Sequence, residues 1–167
     1  MRLFKYSKLL LLLMMILPWF SLPFLGKDAF KRFLPAGLFI SLVVRIVNFI
    51  AKKRKWWWWY QTLHPRISGV FPFIWGPFLV GSMWILKLTY GKFFRYMLLN
   101  LAIDGAFTYG LVYYLQKLGI ASLVRLKKIN LLLIFTFEAL LLYGFQIIKD
   151  KMIGSKVTRN DSEDLYV

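Results

Sequence analysis

The sequence predicts an all-α integral membrane protein, a bundle of about five transmembrane helices. Three observations carry that expectation. Of 167 residues, 59% are apolar or aromatic, above the roughly 45–50% of a soluble domain. Only 18% are charged, against roughly a quarter in soluble proteins. The apolar residues also gather into five blocks, each close to the about 20 helical residues that cross a hydrocarbon core of roughly 30 Å.

The first block is Leu9–Leu25. Arg2, Lys5 and Lys8 before a leucine run resemble a secretory signal, but Pro18-Trp19-Phe20-Ser21-Leu22-Pro23 lacks the small residues of a cleavage point. The expectation is an uncleaved helix, kinked where Pro18 and Pro23 remove backbone donors. The other blocks are Phe33–Ala51, Ile67–Leu86, Met97–Leu115 and Asn130–Ile148. In the third, Gly69, Pro72, Gly76, Gly81 and Ser82 give a surface where backbones can approach closely. Short connections make successive helices antiparallel neighbours in a single domain, residues 1–153. Residues 154–167 are polar, with Asp161, Glu163 and Asp164, and read as a flexible tail.

The net charge is +16, from 23 Lys and Arg against 7 Asp and Glu. In a soluble chain this would suggest nucleic acid. Here the cations sit in every gap between apolar blocks, on both faces of a bilayer, so no continuous basic face exists and no nucleic-acid partner is expected. The expected partners are the lipid bilayer, its anionic headgroups and other membrane protein subunits. With the N-terminus cytoplasmic, that side holds 12 basic residues and the other side 10. The bias is small, and the dense Lys52, Lys53, Arg54, Lys55 block decides for the N-terminus inside a multi-pass cell-membrane protein.

Trp56, Trp57, Trp58 and Trp59 follow that block. Four successive rings would point all round a helix, so they are expected to anchor it at the headgroup level, with Lys52–Lys55 meeting anionic lipid. Residues 118–128 alternate apolar and basic side chains and are expected along the membrane surface.

Three ionisable residues fall inside apolar blocks: Arg45, Asp104 and Glu138. A charge near the bilayer centre costs at least about 2.5–3.5 kcal/mol and normally faces a partner or water. Ser41, Arg45 and Asn48 share one helical face, as do Asn100, Asp104 and Thr108; Asn130, Glu138 and Gln146 are spaced to share a side. The three stripes are expected to turn toward a common interior. Two readings follow. In one, Arg45 pairs with Asp104 or Glu138 and the network fixes helix packing in an accessory or scaffold subunit. In the other, one cation serves two carboxylates, and the spare carboxylate carries a proton or binds a cation in a small transporter or channel component.

Leu17–Leu25 also resembles Phe71–Leu79: each has two prolines five apart and ends Pro-Phe-Leu. A duplicated two-helix unit would make Arg45 and Asp104 partners across it; chance likeness between Phe/Leu/Pro-rich blocks is the competing account. The prolines, the Gly-Pro-Phe step and Lys87–Phe94 resemble small uncharacterised multi-pass membrane proteins of spore-forming bacilli, over most of Leu17 to Lys151. That resemblance implies a bacterial plasma membrane and no activity for any residue.

Catalytic chemistry has little to draw on. One histidine, His64, and no cysteine cannot build a His/Cys metal site. No phosphate-cradling glycine loop, nucleophile elbow or His-Glu-x-x-His run occurs. The expectation is a non-enzymatic protein without catalytic residues, metal or cofactor.

Overall fold

A computed structural model describes residues 2–64 and 68–163, with side chains over 8–64 and 68–153. Arg66 and Ile67, and the tail residues Asp164–Val167, lie outside the described residues, as do the side chains of Arg2, Lys5, Asp161 and Glu163.

Among the described residues, five helices are long and apolar enough to cross a membrane. Helix α1 is Arg2–Ile16, carried on by a tight turn at Leu17–Ser21 and a short helical turn at Leu22–Leu25. Pro18 and Pro23 open those two segments, where a missing N–H breaks no helical bond. The irregularity expected at the prolines takes the form of this tighter winding at Leu17–Ser21. Gly26, at φ +83°, ends the run and lets the chain reverse. Helix α2 is Lys27–Arg54, with Asp28 in its first turn and Lys52, Lys53 and Arg54 in its last, each complementing the helix dipole. Helices α3 (Phe71–Thr89) and α4 (Phe93–Lys117) follow, and α5 is Lys128–Glu163. Helical backbone thus continues from Gly154 to Glu163, where a flexible tail is expected from composition.

Helix α2 packs on α3 and α5, and α4 packs on the same pair. Their apolar faces meet around Ile40, Leu79, Met83, Leu86, Tyr96 and Leu142. Helix α1 lies outside this core, on the first half of α3. A Cβ at Gly76 would stand 2.3 Å from the Met14 carbonyl oxygen, so only glycine lets the two backbones touch there. Trp19 Nε1 then donates to the Trp75 carbonyl at 2.8 Å, and Trp84 Nε1 to Ser21 Oγ at 2.9 Å. The outer surface is apolar as well: Phe20, Phe49, Phe94 and Leu98 are each at least 70% exposed. A water-facing monomer does not present large apolar side chains on this scale.

The two proline segments that look alike in sequence are built differently. Leu17–Ser21 is wound tightly, whereas Ile74–Phe78 is a wide π turn around Pro77. Arg45 and Asp104 make no ion pair among the described residues, so neither shape nor pairing supports a duplicated unit.

The clearest departure from expectation is at the end of α2. Lys55 adopts a left-handed conformation, φ +56°. Its N–H bonds back to Lys52, and Trp56 N–H reaches Ala51 at 2.9 Å. Helix α4 ends the same way: Gly119 is left-handed, its N–H bonds to Gln116, and Ile120 N–H bonds to Leu115. Both are Schellman caps, which stop a helix by turning the chain outward. Each cap feeds a strand, β1 (Trp57–Trp59) and β2 (Ala121–Leu123). They pair antiparallel with Trp57 opposite Leu123 and Trp59 opposite Ala121. The tryptophans therefore alternate across a strand and do not ring a helix. Within the segment 118–128, Ile120 and Ala121 are buried against the ribbon, while Leu118, Val124, Arg125 and Lys127 remain exposed.

Candidate functional site

Two of the three polar stripes converge. On α4, Asn100 and Thr108 are buried and Asp104 is half-buried; on α5, Glu138 and Gln146 are buried while Asn130 is exposed. Asp104, Glu138 and Asn100 line one cavity of about 240 Å³ between α2, α3, α4 and α5. Glu138 is only 2% exposed, and its Oε2 has no hydrogen-bond partner. At about 1.5 Å per residue, both carboxyls lie within roughly 5 Å of the middle of their apolar spans, Phe93–Lys117 and Lys128–Ile153. No basic side chain lines this cavity.

The backbone beside this space departs from regular α-helix. Helix α3 widens at Ile74–Phe78, where Pro77 cannot donate and forces the longer turn. Helix α4 widens at Ala106–Leu111, a segment with no proline. Thr108 lies in that second wide turn, fully buried, with its hydroxyl unpartnered. The two turns set Phe78 and Phe107 against Phe135 of α5, with ring centroids 6.2 and 5.5 Å away. A second, apolar cavity of about 80 Å³ lies between this aromatic cluster and the β1–β2 ribbon, and Glu138 forms part of its wall too. Glu138 also borders an open apolar groove of about 320 Å³ between α2 and α5, so one carboxyl residue adjoins three spaces.

The third stripe goes elsewhere. Helix α2 turns Ala36, Ile40 and Val44 into the core. Arg45, one residue and about 100° further round, is therefore exposed. It lies with Ser41, Asn48 and Lys52 in a groove of about 490 Å³ on the outer side of α2 and α3. The expected pairing of Arg45 with Asp104 or Glu138 is absent, and so is the common interior of three stripes. The reason is the rotation of α2, set by its larger apolar face. Asn48 is spent on the ribbon: it accepts from Trp57 Nε1 at 3.0 Å and donates to Ser68 Oγ at 3.3 Å. Ser41 donates to Gly37 of its own helix.

The ion pairs among the described residues lie at the opposite end from the ribbon. Arg32 Nη2 reaches Asp150 Oδ2 at 2.7 Å, and Lys149 stands 3.8 Å from Oδ1. Gln146 Nε2 donates to Oδ1 at 2.8 Å. The Arg32 guanidinium also lies 5.0 Å from the Tyr90 ring centre. Burial, then the neighbouring Asp150, push the Tyr90 phenol above its ordinary range. The sequence reading missed Asp150 and Arg32, which sit among many charges near block ends and 118 residues apart.

Of the expected anchor, Lys52, Lys53, Arg54, Lys55 and Trp58 are exposed, while Trp56, Trp57 and Trp59 are partly covered. Arg54 lies 5.9 Å from the Trp56 ring centre. Trp59 packs on Phe73 and crosses Gly69, where a Cβ would meet Trp59 Cβ at 2.6 Å. Gly69 and Gly76 thus permit close backbone approach as expected, whereas the space beside Gly81 is open.

No family model matches the chain, and neither a curated protein nor a solved structure matches it.

Proposed function

We propose that this chain is a non-enzymatic, five-span accessory or scaffold subunit of a cell-membrane complex. The observation that carries this reading is Arg45. It stands exposed on the outer face of α2, about 7 Å from the helix middle at ~1.5 Å per residue, and no carboxyl of the described residues pairs with it. A cation held there in hydrocarbon is costly unless something outside the bundle meets it. The groove around it supplies further polar groups at Ser41, Asn48 and Lys52. A partner helix carrying a carboxylate at that depth fits this face. The exposed Lys52–Lys55 run and Trp58 support contact with anionic headgroups on the side taken as cytoplasmic.

Purification from native membrane in mild detergent tests the reading. The wild-type chain is expected to bring a second polypeptide, and Arg45→Ala to lose it. A wild-type chain that purifies with lipid alone, or a partner equally retained by Arg45→Glu, overturns it.

A transport role is favoured by a separate observation: Asp104 and Glu138 share a cavity without a cation of the chain. In that reading the pair couples proton or cation movement. Proteoliposomes whose proton flux is unchanged by Glu138→Gln and Asp104→Asn would count against it.

A further inference from the structure

We propose that the cavity between α2, α3, α4 and α5 that Asp104 and Glu138 line binds an organic ammonium ion with a small apolar body. The proposal goes beyond the assembly reading and gives the transport reading a ligand class. Four features of the cavity point to this chemistry.

The first is charge. Glu138 and Asp104 both line the space, and no lysine or arginine does. Glu138 is buried to 98%, by its 2% exposure, and its Oε2 lacks any partner. A buried acceptor normally has a donor, because leaving one unmade costs about 1–3 kcal/mol. The missing donor is supplied by an N–H of the ligand.

The second is the shortage of other oxygens. Apart from the two carboxyls, the polar wall consists of Asn100 and Ser82. Ser82 commits its proton to the Phe78 carbonyl at 2.6 Å. A hard divalent cation takes about six or more oxygen ligands, which this wall does not offer. An ammonium needs only one or two.

The third is the remaining surface. Phe78, Trp84 and Phe135 stand in the wall, and aromatic faces attract ammonium groups, more so when water is excluded. The volume of about 240 Å³ exceeds the ~150 Å³ that holds a benzene in a protein interior. A ring and a charged nitrogen fit together.

The fourth is the entrance. Leu88 and Ile103 border the cavity and are 65% and 45% exposed on the apolar outer surface. Asp104, half-exposed, stands near them, and fully buried Glu138 lies deeper. The opening is therefore to the lipid side, where an amphiphilic cation concentrates. Asp104 meets the ammonium first and Glu138 receives it.

The test uses the full chain in detergent, with benzylammonium as probe, benzyl alcohol as its uncharged counterpart, and sodium as an inorganic competitor, all followed by titration calorimetry. Benzylammonium is expected to bind at millimolar concentration or below, at least tenfold more tightly than benzyl alcohol. Glu138→Gln should weaken it tenfold or more, and Asp104→Asn less. Equal binding of benzyl alcohol would show a merely apolar hole, and displacement by equimolar sodium would show an inorganic cation site; either overturns the proposal. So does benzylammonium binding that both substitutions leave unchanged. Should Glu138→Gln fail to fold, the wild-type comparison of charged and uncharged probe still decides. Binding is read without transport, so a failed ligand class and absent proton flux are distinguishable.

Discussion

Two arginines on α2 meet opposite fates. Arg32, near the start of the helix, reaches across to Asp150 on α5 and is flanked by Gln146, Lys149 and Tyr90. Arg45, about 20 Å further along at ~1.5 Å per residue, faces outward, while Asp104 and Glu138 sit within the bundle without it. The difference shows where this fold can sustain an ion pair. Near the ends of their apolar spans, Lys27–Arg54 and Lys128–Ile153, both partners keep some exposure, 53% and 22% for the Arg32 and Asp150 side chains, so little desolvation is paid. In the middle a pair must recover the whole desolvation cost from its own attraction, and this often fails. The middle therefore has carboxyls and aromatic rings, and the end has the matched charges.

Opposite signs are expected when the two regions are mutated. Glu138→Leu removes a buried oxygen that has no donor, so it should stabilise the bundle by about 1–3 kcal/mol. Denaturant titration in mixed micelles reads this; a loss of stability would mean that the carboxyl is satisfied in the resting protein. Asp150→Ala should destabilise, by about 1 kcal/mol after allowing for the exposure of Arg32, and high salt should shrink the effect. If Asp150→Ala proved as costly as a core deletion, the end network would be structural in a way its exposure does not suggest.

The ribbon end offers a finer pair of tests. Trp57→Phe keeps an aromatic ring but removes the indole N–H that bonds Asn48 and part of the ring's volume, so at least about 1 kcal/mol should go, together with protection of the ribbon amides from hydrogen exchange. Lys55→Gly relieves a left-handed lysine and should raise stability by about 0.5–1 kcal/mol. No change there would argue that the lysine side chain compensates at the membrane surface.

How legible this was follows from the same residues. The helices announce themselves because apolar blocks of membrane length leave few alternatives. Their ends do not: Lys27–Arg32 and Phe93–Tyr96 are polar or aromatic flanks that simply continue the backbone ladder. Depth was readable for Asp104 and Glu138, since it needs only position along a helix. Which way Arg45 faces was not, because rotation depends on whether Ile40 and Val44 or the polar stripe wins the core. The ribbon was half-written. Gly119 is an ordinary signal for a helix stop, but Lys55 takes the same left-handed conformation with no glycine to mark it. Without that break, a run of four tryptophans reads as a continuing helix.

The ribbon has one more consequence, for how the chain is threaded into a bilayer. Its two strands come from the connections after α2 and α4, so two apolar helices, α3 and α4, separate them. If the helices cross a bilayer as proposed, the strands meet when α3 and α4 both cross it. A chain that skipped one, or inserted one backwards, would leave β1 and β2 on opposite faces with their backbone groups unpaired. With basic residues so evenly divided, 12 against 10, charge alone is a weak guide to orientation. Strand pairing acts as a parity check on insertion, closing only when the count of crossings between its halves is even.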